Sequence, residues 1–245
     1  MDKRLAYAIP NLFTAGSLIC ALVALNLVTI GSYIQAAWLI TISIVLDGFD
    51  GKMARILNSM SKLGAQADSL ADFVAFGVAP GFLAWQISLK NFGFIGFFVF
   101  IVYVLCGGFR LARYNVLSES FTKKTDFMGL PIPAAAAAVV SLILFNEIVL
   151  QDIDGHFLIL ISMALMSWLM VSKIPYIAIN KSRKKKKYFS LIVILVVAMS
   201  ILAIKHTAWF YLVCAWLYIL YGLYNKIKLI IHKYHEKHVN IRHKT

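Results

Sequence analysis

Asp47-Gly48-Phe49-Asp50-Gly51-Lys52-Met53-Ala54-Arg55, followed by Gly64, Asp68 and Asp72, gathers four of the chain's eleven acidic residues into one short window. The segments around them, about 34–57 and 65–87, are apolar enough to lie in a membrane. Ionisable groups at membrane depth are costly, and a function is their first explanation. On a helix, positions 47, 50, 51, 54 and 55 follow the i, i+3, i+4, i+7, i+8 spacing, so Asp47, Asp50, Gly51, Ala54 and Arg55 share one face. Asp68 and Asp72, at i and i+4, share a face of the next helix. The link between the two is short, so they are antiparallel neighbours whose acidic faces converge.

The rest of the chain sets the medium. Of 245 residues 61% are hydrophobic and 14% charged, and the mean hydropathy is +0.79, which excludes an ordinary soluble domain. Runs long enough to cross about 30 Å of hydrocarbon recur along nearly the whole length. The expectation is an all-α integral membrane protein of about eight transmembrane helices, at about 11–30, 34–57, 65–87, 92–111, 134–149, 157–179, 189–204 and 209–231. A short interfacial segment over residues 1–10 precedes them. The chain reads as one membrane domain, 1–245, with a catalytic core over about 8–180, two last helices over 189–231 and a basic tail over 232–245. Pro80 is expected to kink the third span.

The net charge of +13 would suggest nucleic acid in a soluble protein. Here it sorts by side. Lys3, Arg4, Lys62, Lys123, Lys124, the 181–187 basic run and the tail fall on one face, whereas Lys90 and Lys205 fall on the other. That asymmetry assigns the basic face, both termini and the acidic cluster to the cytoplasmic side of a multi-pass cell-membrane protein. Binding of anionic headgroups explains the basic segments, and no nucleic-acid role is expected. Cys20, Cys106 and Cys214 are isolated in apolar runs and read as packing residues.

Four carboxylates aimed at one small, poorly hydrated volume repel unless a cation sits among them. By spacing Lys52 points away, which leaves Arg55 as too little charge. A divalent cation fits better, and all-oxygen ligation suits Mg²⁺ or Mn²⁺ over zinc. Such ions keep open positions for water and phosphate, so the expected ligand is a phosphorylated molecule. Gly51 and Ala54 leave a slot beside the carboxylates where a flat or bulky ligand can approach the backbone. Gly77 and Gly81 read instead as close helix packing.

The spacing Asp47-x2-Asp50-Gly51-x2-Ala54-Arg55-x8-Gly64-x3-Asp68-x3-Asp72 resembles, without a departure, the signature of the CDP-alcohol phosphotransferase family. The resemblance implies a membrane transferase that moves a phosphatidyl or phosphoalcohol group from a CDP-activated donor to an acceptor hydroxyl and releases CMP. It implies two divalent cations per site held by Asp47, Asp50, Asp68 and Asp72, with Asp72 also the base. It further implies a CDP-lipid cradle at Asp47, Gly51, Ala54, Arg55, Gly64 and Asp68, and a homodimer.

Two further stretches narrow the branch. Pro10-Asn11-x2-Thr14 resembles a nucleotide-lipid contact, adding those three residues to the cradle. Cys106-Gly107-Gly108-Phe109-Arg110-Leu111-Ala112-Arg113-Tyr114-Asn115 and Phe127-Met128-Gly129-Leu130-Pro131-Ile132-Pro133-Ala134 are similar to the branch whose acceptor is L-serine. The donor is then CDP-diacylglycerol or an ether-lipid analogue. Arg110 and Arg113, on one helix face, and Asn115 are the candidates for holding serine or phosphate, since a guanidinium suits either anion. The alternative acceptors are glycerol 3-phosphate and inositol phosphate. A divalent-cation transporter is the rival from another class, disfavoured because the carboxylates cluster at one end and no second half repeats them.

Overall fold

The computed structural model describes residues 3–57, 59, 61–120, 127–150, 155–176 and 204–242. It is helical, as expected, apart from one two-residue pairing. The elements are α1 (Lys3–Thr29), α2 (Tyr33–Ile56), α3 (Lys62–Asp72), a π-helical turn (Phe73–Val78), α4 (Ala79–Ile87), a 3₁₀ turn (Leu89–Phe92), α5 (Gly93–Ser120), β1 (Phe127–Met128), α6 (Ile132–Phe145), a second π turn (Asn146–Leu150), α7 (Gly155–Val171), β2 (Pro175–Tyr176) and α8 (Ile204–Arg242).

Among the described residues six helices are long and apolar enough to cross a membrane: Ala8–Thr29, Tyr33–Ala54, Leu63–Ile87, Leu89–Leu117, Ile132–Leu150 and Ala208–Lys228. Gly155–Val171 is apolar but shorter. The outward faces are greasy, with Phe94 82%, Phe98 59% and Leu105 65% exposed on α5, as lipid contact requires and water would not tolerate. The span expected at 189–204 lies, but for Ile204, outside the described residues.

Several expected boundaries are corrected. The interfacial segment and first span are one helix that starts at Lys3 and carries Pro10 inside it. The sixth span stops at Val171 rather than near residue 179, because Pro175 enters β2, which pairs antiparallel with β1. The helix of the eighth span runs through the basic tail to Arg242. In the third span the irregularity is a π turn that ends two residues before Pro80, not a simple proline kink. Pro80 has no N–H to give the Phe76 carbonyl, and the buried Tyr103 hydroxyl donates to that oxygen instead, at 3.0 Å.

The α1–α2 hairpin turns at Gly31, whose φ of +79° is a left-handed conformation. Gly31 N–H donates to Val28 O and Ser32 N–H to Leu27 O, the double bond pattern that closes a helix on a glycine. Small residues then let the two helices approach. A Cβ on Gly16 would lie 3.5 Å from Leu46 Cδ1, and Ser17 and Ser43 bond hydroxyl to hydroxyl at 2.7 Å and each to the other's carbonyl. This pairs α1 with α2 in a register that carries Thr14 to Asp50.

The alanine-rich α6 is buried along nearly its whole length and serves as the bundle's central rod. Gly77 lies against Gly107, where a Cβ on the latter would stand 3.8 Å from Gly77 Cα and 2.8 Å from Ile132 Cδ1. Gly81 meets Phe100 in the same way, so both glycines of the third span serve packing as expected. The α5 helix is thereby held against the π turn, which brings Arg110 level with Asp72.

Candidate active site

The site forms where the C-terminal half of α2, all of α3 and the end of α5 meet. Asp47, Asp50 and Asp68 each offer a carboxylate oxygen, and these lie within 4.8 Å of one another. Asp50 is 5% exposed and its Oδ2 accepts from Thr14 Oγ1 at 2.9 Å. Asp68 Oδ1 is buried with no hydrogen-bond partner among the described residues. Asp72 shares a hydrogen bond with Asp47, and so joins the same group. All four aspartates singled out in the sequence converge.

The orphaned Asp68 oxygen and the crowding of like charges test whether a hard cation belongs here. The donor set is carboxylate throughout and the spread of oxygens suits simultaneous ligation, so the residues fit a divalent cation.

The start of α1 closes one side. Thr14 reaches Asp50, and Asn11 lies beside Gly64, where a Cβ would stand 3.5 Å from Asn11 Oδ1 and 2.9 Å from Ser61 Oγ. Ser61 caps α3 by accepting from Gly64 N–H at 2.9 Å, so Gly64 is bare on the side facing both the cap and Asn11. Pro10 is buried beside them. Gly51 and Ala54 are half-exposed on the acidic face of α2. Arg55 stands in the same helix, and its side chain is outside the described set. Lys52 leans over the Phe49 ring, 5.4 Å from its centroid, and Phe49 stacks on Phe13; the lysine is turned from the carboxylates, as its spacing implies.

The three residues proposed for the acceptor part company. Arg110 is 7% exposed and faces the aspartates, interacting electrostatically with Asp72 and Asp47, while Tyr114 lies under its guanidinium with Arg110 Cζ 5.5 Å from the ring centroid. Asn115 hydrogen-bonds Ser69, donating to its Oγ at 3.0 Å, and so links α5 to α3 beside Asp68. Arg113 turns toward α7, donating to Val171 O at 3.1 Å and Met170 O at 3.4 Å. Ser172 N–H bonds Trp168 O, and Leu130 N–H bonds Leu169 O. All four carbonyls left over at the end of α7 are thereby satisfied. Gly129, with φ +86°, packs against the same end, where any Cβ would collide with Met170 O. The Phe127–Ala134 stretch therefore builds a helix terminus.

Two contributors were not singled out from sequence. Ser69 is signalled only by sitting next to Asp68. Tyr218, on α8, interacts with Arg110 across more than a hundred residues of chain, for which no local pattern exists.

A family model described as CDP-alcohol phosphatidyltransferase matches residues 7–175, more than half of the chain and all of this site's α1–α5 residues. The chain belongs to the CDP-alcohol phosphatidyltransferase family. Family membership accounts for the carboxylate cluster and for its place in a helical membrane bundle. Among curated relatives, one from Helicobacter pylori (strain ATCC 700392 / 26695) is 36% identical over 93% of this chain and 96% of its own length. One from Bacillus subtilis is 37% identical over 69% of this chain and 89% of its own, and one from Methanocaldococcus jannaschii 33% identical over 83% and 91%. Each of the three is named CDP-diacylglycerol–serine O-phosphatidyltransferase.

Proposed function

We propose that this protein transfers the phosphatidyl group of CDP-diacylglycerol, or of an ether-lipid analogue, to the hydroxyl of L-serine and releases CMP. The observation that carries the proposal is the electrostatic pairing of buried Arg110 with Asp72 beside a three-carboxylate cluster. An anion-binding group and a proton acceptor are thereby brought together beside the carboxylates. Serine brings a carboxylate for the first and a hydroxyl for the second. Relatives of that name that match this chain over most of its length support the same choice of acceptor.

Asp47, Asp50, Asp68 and Asp72 would hold divalent cation, Mg²⁺ or Mn²⁺ and two ions per site. When bound, the cations supply neutralisation of the diphosphate charge. Gly51, Ala54 and Gly64 leave backbone open to the nucleotide, with Arg55, Pro10, Asn11 and Thr14 around it. Thr14, by donating to Asp50 Oδ2, fixes that carboxylate and directs its other oxygen into the site. Asp72 takes the serine hydroxyl proton as the serine oxygen attacks the lipid-side phosphorus. The bond from that phosphorus to the bridging oxygen breaks, and CMP leaves with the electron pair. Arg110 holds the acceptor against the donor, so reaction proceeds from a prepared geometry. The site lies on the cytoplasmic side in this reading and the working unit is a homodimer.

The test is CMP release from CDP-diacylglycerol by the purified full-length protein. Release is expected to need L-serine and to stop on addition of EDTA, returning with Mg²⁺ or Mn²⁺. Release driven by glycerol 3-phosphate or inositol phosphate in place of serine would transfer the protein to another acceptor branch.

A further inference from the structure

The family match ends at residue 175, yet Tyr218 of the last helix interacts electrostatically with Arg110. Two contacts fix where α8 runs. Near its start, Trp209 packs edge-on against Phe145 with ring centroids 4.5 Å apart, at the end of α6 remote from the aspartates. Further on, Tyr211 sits beside Thr41 of α2. From Thr41 to Asp47 is six residues, about 9 Å along α2, and from Tyr211 to Tyr218 is seven, about 10 Å along α8. The two helices run the same way, so Tyr218 arrives at the level of Asp47. Tyr211 and Tyr218, one heptad apart, lie on the same face of α8. The electrostatic interaction between Tyr218 and Arg110 agrees with this placement. Its neighbour Ile219 is 1% exposed, which locks the helix against the bundle there.

We infer that Tyr218 is a specificity-determining residue of the acceptor pocket, its hydroxyl sharing with Arg110 the carboxylate of an amino-acid acceptor; this rests on the serine-transfer reading. Tyr114 lies under the guanidinium, and Asp72 and Tyr218 both interact with it electrostatically, so an acceptor anion held by the N–H groups of Arg110 would lie among these side chains. Whatever lies among them meets a proton acceptor on the Asp72 side and two donors on the Arg110–Tyr218 side. A hydroxyl and a carboxylate two carbons apart satisfy both. A phosphate on the acceptor would meet the same donors but add charge next to the aspartates.

The experiment uses the full-length enzyme and measures CMP release against L-serine and against CDP-diacylglycerol for wild type, Tyr218→Phe and Tyr221→Phe. Tyr221 is an exposed tyrosine of the same helix and serves as the comparison. Tyr218→Phe keeps the ring and removes one hydrogen bond to a charged group, so its serine KM is expected to rise about tenfold or more. The KM for CDP-diacylglycerol and the unfolding temperature should stay at wild-type values, as should all constants of Tyr221→Phe. An unchanged serine KM, or a rise of both KM values together, overturns the inference. Absence of serine-dependent CMP release from wild type overturns the serine reading itself, which is a separate outcome. Should Tyr218→Phe not be recovered from membranes, Tyr218 would be packing the bundle, and the inference fails on that result as well.

Discussion

Arg110 and Arg113 stand three residues apart near the same end of α5, and the molecule treats them in opposite ways. Around Arg113 the end of α7 is satisfied: its last four carbonyls are each bonded, and Gly129 is shaped to let that happen. Around Arg110 like charges are crowded together, Asp68 Oδ1 lacks a partner among the described residues, and the guanidinium rests on an aromatic face. In a lipid-bounded bundle, unpaired polar groups cost several kcal/mol each. A satisfied cluster is therefore holding structure together, whereas a frustrated one is held in place for something that binds there.

The largest effect that tests this contrast is at Asp72. Asp72→Asn is expected to lower kcat by about 10²–10⁴-fold. Its unfolding temperature should be unchanged or slightly raised, because one member of a repelling group is removed. Near-normal turnover with metal present would reject Asp72 as the base. Next comes the arginine pair itself. Arg110→Ala should raise the serine KM of the folded enzyme sharply or abolish its activity. Arg113→Ala should lose about 2–3 kcal/mol of stability, read as a lower unfolding temperature, with the serine KM of the folded enzyme unchanged. If the two variants behave alike, the contrast drawn between them is wrong. The smallest effect is expected at Thr14. Thr14→Val deprives Asp50 Oδ2 of its donor while keeping the side-chain shape. The divalent cation concentration for half-maximal activity should then rise about fivefold to tenfold, with little change in serine KM. An unaltered cation requirement would leave Thr14 as a helix contact only.

Much of the site was legible because it depends on short-range periodicity. Asp47 and Asp50 one turn apart, and Asp68 and Asp72 four apart, have their directions set by the helix repeat alone, and a short link forces the two helices together. Lys52 was readable as turned away by the same rule. The repeat misled at Arg113. Sharing a helix face with Arg110 places its Cα correctly but says nothing of a flexible side chain's choice between a carboxylate cluster and the open end of α7. The boundaries at Lys3 and Val171 were missed because hydropathy marks where a helix is apolar, not where its hydrogen bonds end. The π turn at Phe73–Val78 depends on Tyr103 supplying Phe76 with the bond that Pro80 withholds, a contact 27 residues away.

By itself the sequence determined the medium, the helical class and the four carboxylates, since each follows from composition or from spacing within two turns. Only the tertiary structure decided which arginine faces the aspartates, that Phe127–Ala134 finishes α7, and that Tyr218 of the last helix comes within electrostatic reach of Arg110. Those outcomes depend on which helix ends lie against one another, and pairing between segments far apart in the chain leaves no period for a local pattern to reveal.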